Sequence, residues 1–339
     1  MPKTIIQSAD SFLQIVKIVF PKKIHKLLEF GFKAVSLQRI ISLNFNARSS
    51  ITNPHTAESK IYRLTKNLRF VKLFPKLLLK LNLISDHDII AVDFSDFGGL
   101  QVLMFAKQTK SGRAIPLYFK IITYPITQGS QNIFIINTVN EFLKIIVPLK
   151  VKLVFDRGFA CPSIIEYLAE IKVKFYIRIK SIKLVKYKNR TKKAKQFKPG
   201  KYLVSAYRLK NFSLTITPPP QNGREPWYLI SNDIESTAEE IQKIYYYRFE
   251  IEELFKDAKR MFGLEYINFK KQHNFKTVLW FVMLGIWLHY YLEATVEQAK
   301  TIIKKCKQSF NQSITHYWLE QIRLAIQLPV LNQIFIKDG

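Results

Sequence analysis

Three acids in this chain stand where carboxylates can do metal chemistry. Asp93 lies late in the apolar run IIAVDFSD, Asp156 closes the run VKLVFD, and Glu252 sits in a long proline-free helical stretch. Three carboxylates brought to one point form a hard-oxygen site suited to two Mg²⁺ or Mn²⁺ ions. Two such ions, about 3.5–4 Å apart, activate a water or a hydroxyl and stabilise the leaving oxygen of an in-line phosphoryl displacement. Tyr245, Arg248 and Lys259 share a stripe with Glu252, at spacings of three, four and seven, and so project from one side of a helix over roughly four turns. Taken alone, Arg248 and Glu252 also read as a surface i,i+4 ion pair worth a few tenths of a kcal/mol. Aspartate at a strand end is likewise common in turns. Asp96 rivals Asp93, but three residues along a strand it faces the other side.

The helical stretch is Ser236–Gly263. Ser236 or Thr237 can cap its start, Glu239 and Glu240 fill the first turn, and Gly263 can close its end. Ile241, Ile244, Ile251, Leu254 and Ala258 recur at helical spacing and predict one buried face.

Upstream, the period of the apolar residues changes twice. Residues 1–85 read as helices, with fifteen Lys or Arg against the acids Asp10, Glu29 and Glu58. They suit a helical DNA-end-binding domain or a basic bundle packed on its neighbour. From Asp88 three short apolar runs with tight turns predict a meander, then a helix over 130–146, a strand ending at Asp156, a helix from Pro162, and the strand VKFYIRIK. That order is the ribonuclease H-like one, a mixed sheet with helices on its faces. Its first and fourth strands lie side by side, so Asp93 and Asp156 are expected at one sheet edge. From Lys172 to Arg224, both included, stand sixteen Lys or Arg and no acid, with β-prone pieces that predict an inserted basic β subdomain. The domains expected are therefore 1–85, helical; 86–180 with 226–265, catalytic; 181–225, the β insertion; and 266–339, a helical C-terminal region.

A formal charge of +28 over 339 residues implies a polyanionic partner, most simply nucleic acid. An acidic membrane surface is the competing partner, but no basic amphipathic anchor stands out. Cys161 and Cys306 make neither a disulfide framework nor a zinc cluster, which fits a reducing cytosol. The first twenty residues lack the pattern of a signal peptide. Val278–Tyr291 is short for a membrane span and carries His289, so a buried core helix is expected.

With these residues in place the chain resembles the DDE transposases of the insertion sequence 4 family, nearest the transposon-ten type. The likeness rests on AVDFSDFGG around Asp93, VFDRGF around Asp156, and EPWYLISND with IYYYRFEIEELFKDAKRMFGLE around Glu252. The last holds the signature Tyr-x2-Arg-x3-Glu-x6-Lys at Tyr245, Arg248, Glu252 and Lys259. The resemblance implies cut-and-paste transposition through hairpin ends by a bacterial, cytoplasmic homodimer on double-stranded DNA: the terminal inverted repeats and the target. It implies two Mg²⁺ or Mn²⁺ ions on Asp93, Asp156 and Glu252, with Tyr245, Arg248 and Lys259 on terminal phosphates. Trp227 stands where the family has a tryptophan that stacks on a flipped base; as a strand residue it is equally readable as a core aromatic. A nuclease that cuts without joining, and a DNA-binding derivative without activity, are the alternatives.

Overall fold

The computed structural model describes residues 2–37, 54–110, 112–122, 130–219, 225–264 and 272–295. The C-terminal helices expected beyond Val296, and Cys306, lie outside the described residues. The chain divides into two compact units.

The first unit comprises Ile84–Ser95 and Gln101–Leu254. It is built on a ten-stranded sheet: β1 (Ile89–Phe97), β2 (Leu100–Lys107), β3 (Ile115–Ile122), β4 (Lys152–Phe155), β5 (Lys174–Arg178), β6 (Leu184–Tyr187), β7 (Arg190–Lys193), β8 (Gly200–Ala206), β9 (Leu209–Ile216) and β10 (Tyr228–Ser231), in the order 3-2-1-4-5-10-9-8-6-7. β1, β4 and β5 are parallel neighbours, and β10 runs antiparallel to β5 and β9. Parallel strands need crossovers, and α6 (Ser130–Ile146) and α7 (Pro162–Glu170) supply them. Phe142 of α6 stacks on Phe105 of β2 at 4.6 Å. The basic strands β6 to β9 continue the central sheet through the β9–β10 pairing instead of standing apart. The cause is that the edge of β10 beyond β5 would otherwise carry unpaired backbone groups.

The stretch from Ser236 to Gly263 is two helices instead of one: α8 (Ala238–Tyr246) and α9 (Glu250–Arg260), joined by a 3₁₀ turn at Tyr247–Phe249. Thr237 caps α8 reciprocally with Glu240, and Gly263 closes the stretch at φ +68°. Ile241, Ile244 and Tyr245 of α8 lie against Val154, Tyr176 and Leu229, clamping α8 across β4, β5 and β10.

The second unit comprises Met1–Leu83, Asp96–Leu100 and Phe255–Gly339. Its helices α1 (Pro2–Val19), α2 (His25–Leu37), α3 (Pro54–Lys66) and α4 (Leu68–Leu73), followed by the short α5 (Leu77–Lys80), surround α10 (Gln272–Thr295). Phe70 and Phe74 pack on Phe281, and Phe74 stacks on Trp280. At Gly31 a Cβ would meet the Phe281 ring at 2.6 Å, so only glycine lets α2 come this close. By length and composition α10 is apolar enough to cross a membrane, yet 83% of its apolar window is buried within the protein. The core helix expected at Val278–Tyr291 is there.

Candidate active site

The parallel register of β1 and β4 pairs Val92 with Phe155, so Asp93 and Asp156 are the next residues at the same end of adjacent strands. In a parallel pair, neighbours in register point to the same face. Asp156 is also the residue before a 3₁₀ turn, Arg157–Phe159, and its side chain makes no cap bond there. Asp96 is elsewhere: it is exposed and accepts a hydrogen bond from the Gly99 backbone N–H in the hairpin turn.

Tyr245 and Arg248 reach this edge from the α8–α9 junction. The Tyr245 hydroxyl donates to Asp156 Oδ1 at 3.1 Å. The Arg248 guanidinium donates to Asp93 Oδ2 at 3.0 Å and to Glu252 Oε1 at 2.6 Å. The fork of one guanidinium therefore joins two of the three acids, whose bonded oxygens can be no more than about 8 Å apart. The 3₁₀ turn sets Arg248, which is 4% exposed, toward the sheet. An exposed i,i+4 pair does not describe it.

Burial dominates the charge state of Asp93. It pushes the carboxyl up to about 6, against the pull of Arg248 and the Phe94 backbone N–H; Asp156 and Glu252 push in the same direction as burial. Burial likewise raises the Tyr245 hydroxyl, so it remains a neutral donor to Asp156. Arg248 is desolvated, but Tyr245, Asp93, Asp156 and Glu252 together hold it in the charged form.

The oxygen donors of Asp93, Asp156 and Glu252 are right for a hard divalent ion, and a cation already rests against two of them in the form of Arg248. That guanidinium is a stand-in that reports where positive charge is stabilised. Among the described residues no group of three His, Cys, Asp or Glu is arranged to hold an ion. The donor chemistry fits a metal; the side chains as they stand are closed on Arg248.

Beside the site runs a groove of about 1030 Å³ walled by Trp227, Phe249, Tyr247 and Arg178. Trp227 meets Tyr245 edge-on at 5.1 Å and lies 6.0 Å from Phe249. Its backbone is tied to Thr217 in both directions. Lys259 belongs to the other unit, where its Nζ lies 5.3 Å over the ring of Phe97.

Residues 119–288, half of the chain, match the transposase DDE domain family. The chain belongs to that family. The match spans Asp156, Glu252 and the Tyr245–Lys259 signature, while Asp93 lies before it. DDE transposase domains generally depend on divalent metal and act in DNA recombination. The fold is also similar to that of the piggyBac transposase, solved by cryo-electron microscopy as a synaptic complex with hairpin DNA. That similarity has a TM-score of 0.52 at 12% identity and covers 88% of this chain and 70% of the other. No curated protein matches the sequence.

One residue of this transposase domain escapes a sequence reading. Glu250 is 4% exposed; its carboxylate accepts from the Thr109 and Gly112 backbone N–H groups at 2.7 and 2.9 Å. Its neighbour Glu253 pairs with Arg113. The start of α9 thus clasps the β2–β3 turn, and of the three glutamates there only Glu252 shares a partner with Asp93. The available signal was an acid two residues off the polar stripe, which by itself suggests only an exposed first-turn acid.

Proposed function

We propose that this chain is a cut-and-paste DNA transposase of the insertion sequence 4 family, of the Tyr-Arg-Glu-Lys subgroup, with a ribonuclease H-like catalytic core. The observation that carries the reading is that one arginine of the signature joins Asp93 to Glu252 while its tyrosine holds Asp156. In this reading Asp93, Asp156 and Glu252 bind Mg²⁺ or Mn²⁺. When bound, the metal supplies Lewis-acid activation of the attacking oxygen and stabilises the leaving one.

The chain's own residues orient the DNA. Arg248 has a buried Nε donor with no partner among the described residues, and a phosphate oxygen of the cleaved end would satisfy it. Tyr245 keeps Asp156 oriented through its neutral hydroxyl, and Lys259 is assigned a terminal phosphate by its place in the signature. Trp227 and Phe249 offer faces on which an unstacked base can rest, worth about 1–3 kcal/mol per base. The substrates are the element's terminal inverted repeats and target DNA, handled by a homodimer in a bacterial cytoplasm. By function we assign end binding to 1–85, catalysis to 86–180 with 226–265, a β insertion to 181–225 and a C-terminal region to 266–339, as regions laid over the two compact units instead of four separate bodies.

The test is cleavage of supercoiled plasmid bearing the DNA that flanks this gene, with Mg²⁺, by wild type and Glu252→Ala. Flush excision with hairpin ends, abolished in the variant, is the expected result. Cutting without products joined to target DNA would leave a nuclease. Nicking that survives Glu252→Ala would remove Glu252 from the site.

A further inference from the structure

One residue past Asp156, Arg157 opens a second concavity of about 400 Å³, large enough for one sugar-phosphate unit. Its walls bring together Arg157, Lys180, Lys183 and Tyr207, with Ile182 and Leu184 beside them, and no acid among them. None of the three cations has an acidic partner among the described residues, in keeping with a stretch, 172–224, that holds no acid. Lys183 Nζ stands 3.9 Å over the ring of Tyr207, held by cation–π attraction where a carboxylate would otherwise be expected.

The backbone at this place turns tightly. Tyr207 and Arg208 form the β8–β9 turn at φ +51° and +62°, a conformation that glycine or asparagine adopts more freely than other residues. Tyr207 is nevertheless 8% exposed, its ring packed as a wall of the concavity. The same two-residue geometry is taken by Lys188 and Asn189 between β6 and β7, as tight hairpins require, and here it sets the Tyr207 ring under Lys183.

We infer that Arg157, Lys180, Lys183 and Tyr207 form a phosphate subsite that holds the DNA backbone adjoining the bond cut at Asp156. Arg157 and the two lysines neutralise the phosphate, Tyr207 fixes Lys183 in place, and exposed Ile182 and Leu184 lie against the sugar edge. This rests on the transposase reading but assigns residues outside its signature.

The experiment measures affinity of the full chain for a duplex carrying the flanking DNA, as a function of salt, for wild type and for Lys180→Gln with Lys183→Gln. Each lost phosphate contact lowers the slope of log affinity against log salt by about 0.9 for duplex DNA, so a loss of one to two is expected. A scan of single uncharged methylphosphonate linkages should weaken wild type sharply at one or two positions, and the double variant not at all at those positions. An unchanged slope, or a linkage scan with the same profile in both proteins, overturns the subsite while leaving the transposase reading intact. No binding by wild type overturns both.

Discussion

Arg248→Ala removes a guanidinium that is 5% exposed and leaves Asp93, 21% exposed, without its cation. Removing one partner of a buried pair costs about 3–5 kcal/mol when the other must stay charged. Glu252, 44% exposed, is solvated enough to contribute little to that cost. Asp93 has an escape, which is to take up a proton. Its carboxyl stands near 6, raised by burial and restrained by Arg248, so losing Arg248 moves it higher still. A carboxyl raised on folding contributes most stability below its unfolded value near 4, and loses it as pH rises through the folded value. Wild type therefore levels off above pH ~6, whereas the variant keeps losing about 1.4 kcal/mol per further pH unit until it reaches its own higher value. Loss of the contact between the guanidinium and Phe249 adds a part that does not depend on pH. Thermal melts of both proteins at pH 5 and pH 8 measure the difference. The expected result is a drop in Tm on the order of 5–10 °C at pH 8 and clearly less at pH 5. An equal drop at both, or a larger one at pH 5, would refute the pairing of Arg248 with an ionised Asp93.

Asp233→Asn should destabilise the protein by about 2 kcal/mol at pH 7, because Tyr176, Ser236 and Lys174 all donate to that buried carboxylate. Burial pushes Asp233 up, but those bonds together hold it well below the usual range. Its contribution is present above pH ~4 and lost as pH falls, so urea titrations of the variant should show a shallower acid loss than wild type. Thr237→Ala deletes the reciprocal cap of α8 and should cost about 1 kcal/mol, read as a lowered urea midpoint with an unchanged slope. Arg208→Gly relieves an exposed residue at φ +62° and should raise Tm, corresponding to about 1 kcal/mol.

The convergence of Asp93 with Asp156 was legible because it depends on strand order, and strand order follows from the short turns and crossover helices written in the sequence. The apolar face of Ile241 and Ile244 was legible for the same local reason. The break at Tyr247–Phe249 was not, since Tyr-Arg-Phe contains neither proline nor glycine and its tightening answers to the sheet beneath. Arg248, three residues after the buried Tyr245, shares its sheet-facing side and is buried with it. Glu250 was invisible because its partners lie 138 and 141 residues away and are backbone groups, which leave no mark on side-chain spacing. The joining of β9 to β10 is non-local in the same way; composition and β-prone pieces predict an inserted basic β subdomain, and backbone pairing makes its strands part of the one sheet.

The sheet has two edge strands, β3 and β7, and β7, with the sequence Arg-Thr-Lys-Lys, is paired on one side only, to β6. An apolar strand at this β7 edge would offer it as a template to every other copy of the chain. Here the row of unpaired backbone groups is four residues long and guarded by three positive charges, which repel an identical edge approaching in register. Charge in this region thus has a colloidal role that needs no ligand. Replacing Arg190, Lys192 and Lys193 by threonine would leave the fold its core and open a path to edge-to-edge association, so variants made to reduce basic charge should be watched by light scattering before any loss of activity is attributed to chemistry.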